Sequence, residues 1–412
     1  MTTYRQILAI REFRVLFTAT SATVIAKMME TLGLAALVYA KTGSPLLAAV
    51  AYLGGFLPQA LGAMTLLSVA DRLRPRTALA TWSAVHATAL VLMATGVLPL
   101  WAMLALLMIL GFGDPVAGAI SNALVVDVLP EEAYVLGRSL LNVGIGSMQI
   151  VGYAVGGIVL ALVSPIGALW TAAGVGFAAS LVFRLRLQDR EPRATGRASL
   201  AATWAGNRTL FSSSSIRRLL LALWLPASLI VGVESMFVPY GGKAAGALLT
   251  AAAVGMLIGD LTIGRWTSPE TRTRLTMPLF LLLACPYLVF VLHPNLAVAT
   301  GIAFVASFGY AGILSLQERF VSLVPKPMLG QAMGVVGSGQ STMQALCAIM
   351  VGGLAQVTEP ATAIATTALV TVVVTLALLA KPWPKTSGEQ LSGGSPSDPP
   401  NAAEPEASSR EG

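Results

Sequence analysis

Charge is what this chain has least of. Only 11% of its 412 residues are Asp, Glu, Lys or Arg, against roughly 25% in a soluble globular protein. A deficit of that size excludes a water-facing surface wrapped around ordinary cores and leaves a bilayer as the solvent that fits. Cysteine is scarce too. Cys285 and Cys347 both sit in apolar runs, with no disulfide or metal-ligand spacing, so they read as inert small hydrophobes and no metal site is expected. No cleavable leader is expected, because the first apolar run is long and no small-residue cleavage site follows it, so it reads as a retained span. Catalytic signatures are missing as well. There is no HExxH string and no GxSxG elbow, and Gly242-Lys243 is followed by Ala244 rather than by the Ser or Thr of a phosphate loop. Zinc proteases, nucleophile-elbow hydrolases and ATP-driven pumps are excluded, and no cofactor is expected.

Long apolar runs are what remains. A helix needs about 20 residues to cross the hydrocarbon core, and such runs occur at Val15–Ala40, Leu46–Val69, Thr77–Thr95, Leu98–Asn122, Leu136–Val163 and Pro165–Phe183. A second set follows at Leu219–Tyr240, Ala244–Ile263, Met277–Leu292 (a short one), Leu296–Leu316, Ala332–Leu354 and Pro360–Ala380. The pattern predicts an all-α integral membrane protein of about twelve transmembrane helices in two six-helix bundles.

Basic residues then orient the chain. With the N-terminus inside, every one of the 26 Lys and Arg falls on the cytoplasmic side except Lys41 and Lys243, which lie outside, and Lys27, which lies within a span. That is the positive-inside asymmetry. It predicts a multi-pass protein of the cell membrane with both termini cytoplasmic, and it accounts for the net charge of +7 without a nucleic-acid partner. The expected domains are residues 1–183 (first bundle), 184–218 (a basic, Ser-rich cytoplasmic linker), 219–380 (second bundle) and 381–412. The last segment is rich in Pro, Ser, Gly and acidic residues that bury too little apolar surface to order themselves, so a disordered cytoplasmic tail is expected.

Several short strings resemble one known group. Phe13-Arg14-Val15-Leu16-Phe17, Leu37-Val38-Tyr39 and Thr42-Gly43-Ser44-Pro45-Leu46 resemble the opening of drug-efflux transporters of the major facilitator superfamily, most of all the macrolide-efflux-type exporters of actinobacteria. Asp71-Arg72-Leu73-Arg74-Pro75-Arg76 resembles the superfamily's signature loop after the second span, with Asp71, Arg72 and Arg76 at its charged positions. Gly152-Tyr153-Ala154-Val155-Gly156-Gly157 is similar to the antiporters' motif in the fifth span, where Gly152, Gly156 and Gly157 would pack helices. Gly206-Asn207-Arg208, Ile216-Arg217-Arg218 and Val238-Pro239-Tyr240 resemble the linker into the seventh span and its end. The departures are Leu67 and Arg74 for signature glycines, Pro75 for an arginine, Tyr153 for a proline, and Ala26-Lys27 for a Gly-Asp pair in the first span. A weak internal echo, Gly255-Met256-Leu257-Ile258-Gly259-Asp260 before Gly264-Arg265, sits after the eighth span much as Asp71-Arg72 sits after the second. The resemblance implies two repeated halves with a substrate site near the midplane between them, and a signature loop that latches the halves together.

An ionisable side chain in mid-bilayer is a functional candidate by default. Lys27 and Glu30 are three residues apart in the first span, on one helical face, and read either as a self-neutralised pair or as a titrating site. Glu234 has no charged neighbour within a turn. Aligning Ala35 with Pro239 puts Glu30 and Glu234 at equivalent points of the two halves. Asp114 follows Gly111-Phe112-Gly113 and precedes Pro115, where a bend is expected. Lys27, Glu30, Asp114 and Glu234 are therefore the candidates for proton coupling or for lining the substrate cavity. His86 reads as a packing histidine. Gln149, Gln317, Gln340, Gln344, Asn122 and Asn142 read as interhelical hydrogen-bonders, some of them facing the cavity.

Other classes compete. Gly111-Phe112-Gly113-Asp114 spells the GxGD string of intramembrane aspartyl proteases, but no second aspartate lies in the adjacent third or fifth span. A membrane sensor or scaffold would not need carboxylates in several spans. The expected function is a secondary transporter, not an enzyme, acting as a monomer in contact with membrane lipid. It would export small amphipathic molecules, with protons as the expected coupling ion, and an importer or uniporter of the same fold is the alternative.

Overall fold

Proline and serine set where the helices begin. Pro45, Pro75, Pro165, Pro269 and Pro360 each open a helix, where a missing N–H does no harm. Ser44, Ser164 and Ser268 cap three of those starts by accepting from the backbone N–H of Leu47, Gly167 and Thr271. The computed structural model describes residues 4–70, 72–192, 208, 210–325 and 328–380. Its long helices are α1 (Arg11–Thr42), α2 (Pro45–Leu53 continuing as Phe56–Ala70), α3 (Pro75–Ala94), α4 (Leu100–Val128), α5 (Glu131–Leu162) and α6 (Pro165–Arg186). The second set is α7 (Ser214–Glu234), α8 (Ala245–Trp266), α9 (Pro269–Leu292), α10 (Leu296–Leu323), α11 (Leu329–Val357) and α12 (Pro360–Leu379). The described residues contain no strand.

Ten segments are long and apolar enough to cross a membrane. One of them, Ser214–Trp266, is 53 residues long. As one helix it would reach about 80 Å, far beyond a bilayer, and it folds as α7 and α8 with a reversal at Gly242, whose φ is +52°. α11 falls short of the apolar criterion because of its run of Gly, Ser and Gln from Gly334 to Gln344, yet its 29 residues are ample to span. Twelve membrane-length helices result among the described residues, as the apolar runs predict.

The helices pair in a pattern that repeats with an offset of six. α1 packs on α5 and α6, α2 on α4, and α3 on α6; correspondingly α7 packs on α11 and α12, α8 on α10, and α9 on α12. Small residues make the equivalent contacts. A Cβ on Gly62 of α2 would overlap the Phe112 carbonyl of α4, and one on Gly255 of α8 would overlap the Phe304 carbonyl of α10. In lipid, helices associate by packing of this kind rather than by a hydrophobic drive. The halves meet along α2–α11 and α5–α8, which are again equivalent pairs.

Several boundaries differ from the apolar runs. α1 begins at Arg11, α5 at Glu131 and α7 at Ser214, where Ser213 caps the backbone N–H of Ile216. Helices run on past the hydrocarbon, and hydropathy sees only the buried part. α9 is not short: it starts at Pro269 with a polar turn, and its end, Cys285–Leu292, tightens into a 3-10 helix. The expected bend at Asp114–Pro115 lies inside an uninterrupted α4; the interruption falls in α2, at Gly54–Gly55, where Gly55 lies against Gly111. Asp71, the larger part of the expected linker, Lys326 and the tail from Lys381 lie outside the described residues.

Candidate functional site

Three helices bring four ionisable side chains to one place. Lys27 and Glu30 project from one face of α1, His86 from α3 and Asp114 from α4. The Lys27 ammonium lies 3.3 Å from Glu30 Oε1 and 3.4 Å from Asp114 Oδ2. The His86 ring lies between the two carboxylates, with Nε2 2.9 Å from Asp114 Oδ1 and Nδ1 3.7 Å from Glu30 Oε2. Trp82, one turn before His86, donates its indole N–H to Asp114 Oδ1 at 3.1 Å. Glu30 is only 1% exposed. A buried carboxylate is tolerated when it is paired and hydrogen-bonded, and here each carboxylate meets Lys27 and one face of the imidazole. The cluster lines a cavity of about 430 Å³ within the first half, together with Gln59, Asn122, Arg138 and Asn142.

A second cavity, of about 400 Å³, lies between the halves. α1, α2 and α5 supply Met28, Tyr52, Phe56, Gln149 and Tyr153; α7, α8, α10 and α11 supply Glu234, Asp260, Tyr310, Gln317, Gln340 and Gln344. Glu234 accepts a hydrogen bond from the Tyr310 hydroxyl at 3.2 Å, and the Tyr52 and Tyr153 hydroxyls bond each other at 2.9 Å. Phe56 lines both cavities.

At one end of this second cavity the backbones close. A Cβ on Gly157 of α5 would stand 2.7 Å from the Gly246 Cα of α8, and one on Gly352 of α11 would stand 2.9 Å from the Leu46 Cα of α2. Ser44 donates its hydroxyl to the Gln356 side-chain oxygen at 2.7 Å across the same junction. Gly152 and Gly156 pack α5 on α1, against Met28 and Met29. Of the antiporter-like glycines, then, two hold the first half together and the third touches the other half.

The candidates thus separate. Lys27, Glu30 and Asp114 come together, while Glu234 faces a different cavity. His86, read from sequence as a packing residue, is the centre of the charge cluster; its placement four residues after Trp82, on one helical face, was the available signal. Asp260 stood out in sequence only as part of a repeat. Nothing in the linear pattern singled out Tyr52 or Tyr310, and Tyr153 stood out only as a departure from the antiporter-like motif. The side chains of Gln149, Gln317, Gln340 and Gln344 form no hydrogen bond to another described residue and instead line the cavity, whereas Asn122 accepts from Arg138. Two arginines of the signature loop bond within their own half. Arg76 Nε donates to the Arg184 carbonyl at 2.7 Å and Arg74 pairs with Asp189 at 3.4 Å, both within the first half and at the end of α6. Arg190 pairs through both terminal guanidinium nitrogens with Glu12 of α1, and the hydrogen bonds to that carboxylate make Arg190 hold its proton more firmly than usual.

Comparison with known proteins follows the fold. The family model described as Major Facilitator Superfamily matches residues 14–244. No curated protein sequence matches significantly. Among solved structures, the chain is similar to a bacterial homologue of the human lysosomal transporter Spinster in an inward-facing, unoccupied conformation, with a TM-score of 0.68, 14% identity, and coverage of 92% of this chain and 96% of that one. A POT family transporter in complex with 5-aminolevulinic acid gives 0.69 at 14% identity, covering 90% and 96%. The nucleoside transporter NupG gives 0.67 at 15% identity, covering 88% and 99%. At such identities the likeness is one of fold.

Proposed function

The chain belongs to the major facilitator superfamily, and from that premise we propose that it is a secondary active transporter that exports small amphipathic, drug-like molecules across the cell membrane in exchange for protons. The observation that carries this reading is the cavity between the halves, mostly apolar and bearing Glu234 on α7. A carboxylate whose access to water changes as the halves move can take a proton on one side and release it on the other. Glu234 is the group best placed to do so, because among the described residues Tyr310 alone holds it. Glu30 and Asp114 are secondary candidates, since both are already matched by Lys27 and His86. The closed end at Gly157, Gly246 and Gly352 is read as the outer end, consistent with the exposed Lys41 and Lys243 near it and with the basic residues gathered at the opposite end.

The proposal includes the organisation expected from sequence: bundles of residues 1–183 and 219–380, a linker of 184–218, cytoplasmic termini and a monomer. The macrolide-efflux-type resemblance enters only as a guide to candidate cargo. Inverted membrane vesicles with an imposed proton gradient, offered a panel of lipophilic cations and macrolide-like compounds, test the reading. Gradient-dependent uptake of at least one compound is expected. Equal uptake with and without the gradient would contradict proton exchange.

A further inference from the structure

The two cavities differ in how their charges are balanced. In the first half, two carboxylates face a lysine and a histidine at 2.9–3.7 Å, so the charge demand is met internally. Between the halves the lining, among the described residues, has two carboxylates, Glu234 and Asp260, and no Lys, Arg or His. Glu234 has Tyr310. Asp260 of α8 has no hydrogen-bond or ion-pair partner among the described residues, although it is half-buried in a membrane-length helix. A charged side chain in that position is costly unless something compensates it. Four glutamines lining the same cavity, Gln149, Gln317, Gln340 and Gln344, likewise leave their amide groups without side-chain partners among the described residues. The rest of the wall is aromatic and aliphatic and includes the rings of Tyr52, Tyr153 and Tyr310, whose hydroxyls already bond one another or Glu234.

We infer that Asp260 is the anchor for the positive end of the cargo, and that the cavity between the halves is selective for organic cations. The chemistry of the wall defines the ligand. One carboxylate takes the cationic centre, tyrosine faces favour cations over anions, the glutamine amides serve neutral hydrogen-bonding groups, and the aliphatic wall takes the apolar body. An inorganic cation would meet the carboxylate but leave the aromatic and aliphatic wall unused. An anion would face two carboxylates with no compensating charge. The inference rests on the inter-half cavity as the cargo site, and it adds the residue and the charge class that the proposed function leaves open. Glu234 is kept for the proton and Asp260 for the cargo.

The test uses the full-length protein in detergent or nanodiscs with no gradient, so that it is independent of proton coupling. Tetraphenylphosphonium and tetraphenylborate have nearly the same shape and opposite charge. Saturable binding of labelled tetraphenylphosphonium is expected, undiminished by sodium at physiological concentration and without comparable binding of the borate. Asp260→Asn should weaken phosphonium binding by about 10- to 100-fold, the loss of one carboxylate–cation attraction at partly screened distance, while a neutral compound of similar shape, triphenylphosphine oxide, loses much less. Equal binding of borate and phosphonium by the wild-type protein would overturn the inference, and that comparison needs no variant to fold. So would unchanged phosphonium affinity in a monodisperse Asp260→Asn variant, or displacement of the phosphonium by sodium alone. Failure of gradient-driven transport with cation-selective, Asp260-dependent binding intact would count against the proton-exchange reading and leave this inference standing.

Discussion

Lys27, Glu30, His86 and Asp114 illustrate how a buried charge is made tolerable and why a single substitution among them is severe. Each carboxylate has Lys27 on one side and an imidazole nitrogen on the other, and Glu30 is almost wholly removed from solvent. Deleting the lysine leaves two carboxylates without their main counter-charge, and breaking a buried pair in this way costs about 3 to 5 kcal/mol. Lys27→Met is therefore expected to destabilise the first half by that order, and adding Asp114→Asn should recover part of the loss, because the second change removes the orphaned charge. Thermal unfolding of purified single and double variants would show it; additive losses would mean that the two residues do not interact. Lys27 and Glu30 were legible as a pair from their spacing alone. Asp114 was legible as an anomaly. Their meeting was not, because it depends on how α1, α3 and α4 pack, and one-dimensional periodicity carries no information on which faces of distant helices touch. His86 was misread for the same reason, since its partners lie 56 residues before it on α1 and 28 after it on α4.

Helix number and approximate place were plain in the sequence because a bilayer imposes a length of about 20 apolar residues on every crossing. Edges were less plain wherever a helix continues beyond the hydrocarbon, as α9 does from Pro269, or where glycine interrupts it, as in α2 at Gly54–Gly55. The glycines of the fifth span were recognisable as packing residues. That Gly157 would meet Gly246 of the other half, while Gly152 and Gly156 would hold α1, required the fold. This contact suggests a mechanical test. If the α5–α8 and α2–α11 junctions must part during transport, joining them should stop it. With Cys285 and Cys347 replaced by Ser, a Ser44→Cys, Gln356→Cys pair should be joined by a short reducible bifunctional thiol reagent, because the native side chains meet at 2.7 Å and cysteine is shorter than the glutamine it replaces. Crosslinking should abolish transport, and reduction should restore it. Transport by the fully crosslinked protein would show that this junction stays shut throughout the cycle. Bulk at the same contact should act in a related way: Gly246→Val places branched carbon against the Gly157 backbone and is expected to lower both thermal stability and transport rate.

At the scale of the whole molecule, helix pairing that repeats with an offset of six provides two equivalent halves with a cavity between them, and the fold is that of the superfamily. Orientation is the first prediction at this scale. Cysteines placed at Lys41 and Lys243, both exposed, should be labelled by an impermeant reagent in intact cells, and those at Arg74 and Arg274 only after permeabilisation; the opposite pattern would reverse the topology and the direction assigned to the cavity. The central claim is that the protein couples cargo to protons through Glu234. Glu234→Gln keeps the shape of the side chain and its place beside Tyr310 but cannot carry a proton, so it separates coupling from movement. In proteoliposomes containing this variant, exchange of labelled for unlabelled cargo at saturating concentration should persist near the wild-type rate, while uphill accumulation driven by a pH gradient should fall to background. Gradient-driven accumulation at wild-type levels in Glu234→Gln would contradict the account.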